Sequence, residues 1–523
     1  MRFRALSSGL LVGSLSLAAL TGCGGDDEVE KKPANIPAGG ACNLETKDAE
    51  NFGCIAGTKC EKPEGETQTR CLVQEGGECD ADESYCSDGL ACEEVASGGH
   101  RCYAEVVLHG MVRDASDASP IEDADVMAVN EEGVAVTDVA HTDAMGNYDL
   151  TVPAVRNDDG SPASTKYTLR AAAQDYQAFP SGVRVALPID IEDATHDEER
   201  YVVENALTTV DLIPLEDAER SMISGSIVAL EGSDDDLTAG VLVVAKGADG
   251  AVSGVTDKAG AFTIFNGPAG DYELKAYGAD IEVETKSVAV PEQPLTDVEL
   301  LQLDEATTTV SGSVQIVNAS GGSMTSVILV VEDTFEPNAA RGEVPRGLRA
   351  PRSGDPNISG SFSISGVPNG KYVVLAAYEN DDLVRDPDTN IAGTDFVHLE
   401  VGAEATIAIS ESFKVTQSLA TVGPGIDGPE AVTEKPMLTW ADDSSEDWYD
   451  LRVFDAFGNE VWQSLMIPGV SGSDDVSVQY AGPLDPGMYY QFRATSWRQP
   501  GNGDAAPIST TEDLRGVFYL SAE

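Results

Sequence analysis

The chain of 523 residues is short of positive charge: 32 lysines and arginines stand against 90 aspartates and glutamates, a formal net charge of −58. A polyanion of this strength repels phosphate backbones and anionic lipid, and no basic stripe opposes it, which excludes nucleic acid as a partner. Histidine is scarce, at five residues. No H-E-x-x-H, G-x-S-x-G or G-x-x-x-x-G-K pattern occurs, so the signatures of zinc proteases, serine hydrolases and phosphate loops are missing. His196 and Glu199 have the H-x-x-E spacing of a zinc pair, but no catalytic-domain pattern surrounds them and the segment reads as an acidic loop between strands. Room for long helices is lacking too, because 52 glycines and 26 prolines are spread along the whole chain. Breakers at that density mark turns between short strands. Apolar residues nevertheless make up 41%, enough to build cores, and the length suggests roughly three to five domains.

The amino terminus carries Arg2 and Arg4, an apolar run from Leu6 to Leu20, and then Leu20-Thr21-Gly22-Cys23. A basic start followed by a short apolar run reads as a secretory signal, too short for a comfortable membrane span. Its end resembles the lipobox of bacterial lipoproteins. That resemblance implies a signal peptide over 1–22, a diacylglycerol on the thiol of Cys23, and further acylation of the new amino terminus (palmitate is a typical chain), so that several chains together hold the protein at a membrane. Gly24 in place of an aspartate implies sorting to the outer membrane of a Gram-negative bacterium. Residues 23–40, rich in Pro, Gly and charge, read as a flexible tether. The rival is an ordinary cleaved signal with a chance cysteine.

Beyond residue 102 there is no cysteine at all. Apart from Cys23, the eight cysteines form an internal repeat over 41–103: Cys42, Cys54, Cys60 and Cys71, then Cys79, Cys86, Cys92 and Cys102. Each copy shows the pattern G-G-x-C, C-x-x-G-x-x-C and R-C. Units this small cannot bury a stabilising core, and even parity predicts two disulfides in each. Four cysteines allow three pairings, and the spacing does not choose among them. Zinc is the rival, disfavoured because His100 is the only nearby imidazole and no C-x-x-C pair occurs. The region is similar to short cysteine-rich modules of bacterial surface lipoproteins, some likened to the dickkopf amino-terminal region, which implies a spacer or recognition role.

A second repeat follows. Its opening strand places a glycine between apolar residues: Gly110 after Leu108, Gly225 after Ile223, Gly312 after Val310. A turn and an alternating strand come next, Asp143-Ala144-Met145-Gly146-Asn147-Tyr148 in the first copy and Asp257-Lys258-Ala259-Gly260-Ala261-Phe262 in the second, while the third keeps Gly360-Ser361-Phe362. Asp-x-x-Gly suits a tight turn, and the aromatic two residues later faces a core. Copies two and three then add Gly270-Asp271-Tyr272 and Gly370-Lys371-Tyr372; in copy one, Asn157–Ser164 interrupts that stretch. The pattern resembles the carboxypeptidase regulatory-like domain, whose transthyretin-like fold implies β-sandwiches over 104–217, 218–306 and 307–419. Residues 420–523 hold all four tryptophans, alternation at Tyr449, Leu451 and Val453, and Leu484-Asp485-Pro486-Gly487-Met488-Tyr489-Tyr490. They resemble a fibronectin type III or related immunoglobulin-like sandwich. The aromatics read as core before ligand platform.

The expected fold class is therefore all-β, tandem sandwiches preceded by a small disulfide-rich region. Asp386-Pro387-Asp388-Thr389-Asn390 alternates oxygen donors like half a calcium loop, but Ile391 and Val397 stand where glycine and an acid are required, so it reads as a solvated turn. Arg341, Arg346, Arg349 and Arg352 form a basic island with only Glu343 opposing, expected as a long exposed loop. Its arginines either pair loosely with neighbouring acidic domains or dock a polyanion such as surface polysaccharide or an envelope protein. The reading is a non-enzymatic, membrane-anchored scaffold of the cell envelope, extended as a rod, without cofactor or metal. The alternatives are a carbohydrate-binding or adhesin-type surface protein using Trp497 or Tyr490, and an accessory protein of a hydrolase complex.

Overall fold

The structure, a computed structural model, describes residues 35–42, 53–63, 65–81, 84–197, 199–216, 220–232, 235–248, 250–319, 323–470, 475–501 and 503–521. The expected signal peptide, Cys23 and residues 24–34 of the expected tether lie outside them. Apart from three short 3-10 turns, every element among the described residues is a strand. The fold is all-β, with a disulfide-rich start.

The chain divides into two compact units, 1–74 and Glu75–Glu523. In the first, strands Thr58–Glu61 and Arg70–Val73 pair antiparallel with Cys60 opposite Cys71. Bridges Cys42–Cys60 and Cys54–Cys71 tie each hairpin strand to an upstream cysteine. The second unit opens with the same arrangement: Leu90–Glu94 pairs with His100–Ala104, Cys92 opposite Cys102, and the bridges are Cys79–Cys92 and Cys86–Cys102. Each copy thus pairs first with third and second with fourth. The repeated G-G and R-C have one local cause. Arg70 Nη1 donates to the Gly39 carbonyl at 3.1 Å, and Arg101 Nη1 to that of Gly76 at 3.2 Å. The glycine of C-x-x-G-x-x-C, Gly57 or Gly89, has φ of 85° or 78°, a conformation costly to side chains with a Cβ.

Three sandwiches follow with one topology. In the second, Ser221–Val228 pairs antiparallel with Ala261–Gly267 and parallel with Leu295–Asp304, while Leu242–Gly247 is flanked by Gly250–Val255 and Gly270–Tyr277 in the facing sheet. The first and third match it, except that the final strand is broken in two: Arg200–Val203 and Thr209–Pro214 both pair parallel with Val106–Asp114, and Thr406–Ala408 and Phe413–Gln417 with Thr308–Ile316. Parallel pairing of first with last strand explains the opening glycine. A Cβ on Gly225 would lie 1.9 Å from the Val298 carbonyl oxygen, and one on Gly110 1.9 Å from that of Thr208. The Asp turns form as the spacing predicts: Asp143 Oδ1 accepts the amides of Met145 and Asn147, and Asp257 Oδ1 those of Ala259 and Ala261.

Copy one also has the tyrosine latch that its insertion hid. Tyr272 and Tyr372 hydroxyls donate to Pro268 and Pro368 carbonyls at 2.7 and 2.8 Å; Tyr167 makes the same bond to Pro153 at 2.6 Å across the inserted residues. The insertion serves the cysteine unit. Arg156, at its amino-terminal edge, is fully buried, bonds Glu93 and the carbonyls of Ala104 and Gly160, and lies over the rings of Tyr103 and Tyr201. This anchorage is why the division at residue 74 cuts the 41–103 segment and leaves its second copy with the sandwiches.

In the terminal sandwich, Thr421–Gly423, Met437–Trp440 and Val476–Gln479 form one sheet, and Glu430–Val432, Val517–Leu520, Tyr489–Arg498, Trp448–Asp455 and Glu460–Pro468 the other, with Ala506–Thr510 paired to Tyr489–Arg498 as its sixth strand. Tyr449, Leu451 and Val453 point together into a core with Trp440 and Phe492.

The expectation of a rod needs correction within Glu75–Glu523. Sandwiches distant in sequence share apolar clusters: Ala115, Val183 and Ile213 of the first pack with Ala456, Tyr489 and Val517 of the last. The second and third share Tyr277, Ala279 and Tyr372, and the first and second Met127, Ala135 and Ala239. Side-on burial of apolar area outweighs the entropy that an end-to-end string would keep.

Candidate functional site

The basic island was expected to be an exposed loop. The structure instead seats it among the sandwiches, and three of its four arginines hold groups from other sandwiches. Arg341, 5% exposed, donates to the Gly182 carbonyl at 2.5 Å, to Gln491 Oε1 at 2.8 Å and to the Asp513 carbonyl. It thereby ties the third sandwich to the first and the fourth. Arg346 reaches the Leu237 carbonyl of the second sandwich at 2.5 Å. Arg352, half-exposed, pairs with Asp280 at 2.6 Å and donates to the Ser365 carbonyl at 3.0 Å. Arg349 pairs with Glu379 inside its own sandwich, and burial pulls its pKa down. Glu343, the one acid of the island, faces Arg170 of the first sandwich at 3.4 Å. Guanidinium suits this task because its planar fork of donors satisfies several carbonyls at once.

The chemistry of the other candidates is settled by their partners. The eight cysteines are consumed in disulfides. Among the described residues, the His, Cys, Asp and Glu groups of three close enough to ligate a metal are Cys42-Cys54-Cys60 and Cys79-Cys86-Cys92, and oxidised sulfurs are poor ligands. Asp386, expected in a solvated turn, is 2% exposed. It accepts the Asp388 amide at 2.9 Å and burial pushes its pKa up; Asp388 accepts that of Asn390 at 2.9 Å. These are turn bonds. His196 lies in strand Thr195–Asp197 of a hairpin, not in a loop, with its ring 4.7 Å from Tyr201. Tyr490 is 1% exposed and its hydroxyl contacts Asp485, so it is a core corner and not a ligand surface. Trp497 is half-buried on the outer face of its sheet, parallel to Trp448 within 4° at a centroid distance of 6.1 Å.

Sequence reasoning missed three buried groups. Arg156 is described above. Arg184 is 4% exposed and packs between the rings of Phe179 and Tyr489, at 4.8 and 4.5 Å from their centroids. Glu512, fully buried, accepts the Asp382 amide at 2.7 Å and the Ser418 hydroxyl at 3.3 Å, while its Oε2 has no partner. Burial and the nearby Asp381 carboxylate push its pKa up to about 8. Nothing local in the sequence marks these residues, since their partners come from distant strands.

No protein-family model matches the chain, and no curated protein does. Solved structures similar to it include the Bacillus anthracis TIE protein, 11% identical, covering 80% of this chain and 74% of its own with a TM-score of 0.15. BcpA, the major pilin subunit of Bacillus cereus, is 10% identical over 60% of this chain and 100% of its own, TM-score 0.15. The shaft pilin SpaA from Lactobacillus rhamnosus GG is 11% identical over 38% and 97%, TM-score 0.15. At such TM-scores these likenesses carry no argument about this chain.

Proposed function

We propose that the chain is an exported, lipid-anchored, non-enzymatic scaffold of the cell envelope, held to a membrane through Cys23 and presenting a block of packed sandwiches to its surroundings. The observation that carries it is the pair of doubly bridged cysteine units, which requires an oxidising compartment. The lipobox pattern at Leu20–Cys23 supplies the anchor, and Gly24 directs it to the outer membrane. Among the described residues no helix is long and apolar enough to cross a membrane. The domain types we assign are carboxypeptidase regulatory-like over 104–217, 218–306 and 307–419, supported by the shared strand order and the recurring tyrosine latch, and fibronectin III-like over 420–523, supported by its three- and six-stranded sheets and the Tyr490 corner.

The test is detergent-phase partition of the full chain expressed in a Gram-negative host, with mass analysis of its amino-terminal peptide. Acylated wild type in the detergent phase and aqueous Cys23→Ala support the reading; aqueous, unacylated wild type ends it. Protease accessibility on intact cells then separates the outer face from the periplasmic one.

A further inference from the structure

In a chain whose acids far outnumber its bases, one cleft reverses the ratio. Between the third and fourth sandwiches lies a cavity of about 240 Å³ whose lining carries Arg385, Arg452 and Arg493 against a single acid, Asp513. At ~30 Å³ per water it holds roughly eight waters, or one ring-sized molecule. The three guanidiniums are not equally engaged. Arg493 is held by Asp513 at 2.5 Å, and Arg452, at the exposed rim, by Glu460 at 2.6 Å. Arg385 donates to the Thr394 carbonyl and stacks over Phe396 at 4.3 Å, and makes no ion pair with an acid of the described residues. Burial lowers its pKa and Arg493 repels it, while Asp513, and behind it Asp395 and Asp386, attract it from a distance. A largely buried cation whose strongest attracting acid, Asp513, is already paired with Arg493 is costly. Here its remaining donors lie by a cleft and not in a sealed core, since none of its nitrogens is both buried and unbonded. The lining also carries the apolar side chains of Leu375, Val384 and Phe454 and the ring of Tyr378.

We propose that this cleft binds a small organic oxyanion, a sugar-sized molecule bearing a carboxylate, sulfate or phosphate, with the charged group taken by Arg385 and Arg493 and the ring face laid against Phe396 and Phe454. Guanidinium forks match the geometry of oxyanions, and the apolar side chains add contact area for a ring. The site does not depend on how the chain is anchored, and it is distinct from the Arg341–Arg352 island, each of whose arginines bonds groups within the protein.

Calorimetry on the full chain at low ionic strength tests it, with D-glucuronate, glucose 6-sulfate and glucose 6-phosphate as probes and D-glucose as the neutral control. Saturable binding of at least one anionic probe and none of glucose is expected, the best probe naming the oxyanion. Arg385→Gln should weaken that binding at least ten-fold. Asn338→Asp, an exposed change at the lining that adds a repelling charge without touching the core, should weaken it several-fold. Arg498→Gln, exposed and outside the cleft, should leave it unchanged. Wild type that binds none of the anions, or binding that survives both Arg385→Gln and Asn338→Asp, overturns the proposal.

Discussion

Glu512 shows how one side chain's surroundings set a property of the whole protein. Its carboxyl belongs to the fourth sandwich but is enclosed by Asp381, Asp382 and Ser418. Its folded pKa, about 8, stands above the ordinary glutamate value of 4.5. The native state therefore holds a proton that the unfolded chain releases between those two values. Its contribution is full below about pH 4.5 and is lost as pH rises through 8. Melting temperature should fall across that window, and Glu512→Gln, a neutral isostere, should flatten the fall and raise the melting point at pH 8.5. A pH series by scanning calorimetry reads both; an unchanged slope in the variant would refute the assignment. At Gly225 the argument is steric. With a Cβ 1.9 Å from the Val298 oxygen, Gly225→Ala must push two paired strands apart. A loss of roughly 1–3 kcal/mol in denaturant unfolding is expected. The glycine's recurrence between apolar residues of the opening strand was legible in the sequence. The Glu512 environment was not, because acids fill the sequence and burial alone distinguishes this one.

The elements repeat local devices. Asp-x-x-Gly turns and the Tyr-to-Pro latch of copies two and three satisfy backbone groups with residues at most four positions away, which is why their residues recur at fixed spacing. The latch in copy one is the exception: an insertion between Pro153 and Tyr167 removes the spacing but keeps the bond. Tyr372→Phe should cost about 1 kcal/mol, since its hydroxyl is buried with the Pro368 carbonyl. For the second cysteine unit, replacing Cys79 and Cys92 by serine opens a loop of sequence separation 13, worth roughly 3 kcal/mol. Limited proteolysis should then cut within 75–103 while the sandwiches still melt as in wild type. Cleavage at wild-type rates would show that the Arg156 anchorage, and not the bridge, holds the unit.

At the scale of the molecule, buried arginines do the joining. Arg341 alone contacts carbonyl or amide oxygens of the first and the fourth sandwiches. Arg341→Met keeps the stem and removes the charge, leaving buried oxygens without donors. A destabilisation of about 3 kcal/mol or more is expected, with a single cooperative transition splitting into two in calorimetry. A wild-type melt would mean that the apolar clusters suffice. The same reasoning separates this island from the Arg385 cleft, which no local pattern marks: Arg385 and Arg493 stand far apart in the chain and meet only where two sandwiches close on each other.

Alternation, turn residues and cysteine parity determined from the sequence alone that the chain is all-β, repeated and cross-linked, because each depends on contiguous residues and a period of two. Which arginines became joints, which acid keeps its proton, and that the first and last sandwiches touch were decided by tertiary structure. The reason is physical: those outcomes depend on the distance between groups remote in sequence and on the water excluded between them, and neither is a property of a local pattern.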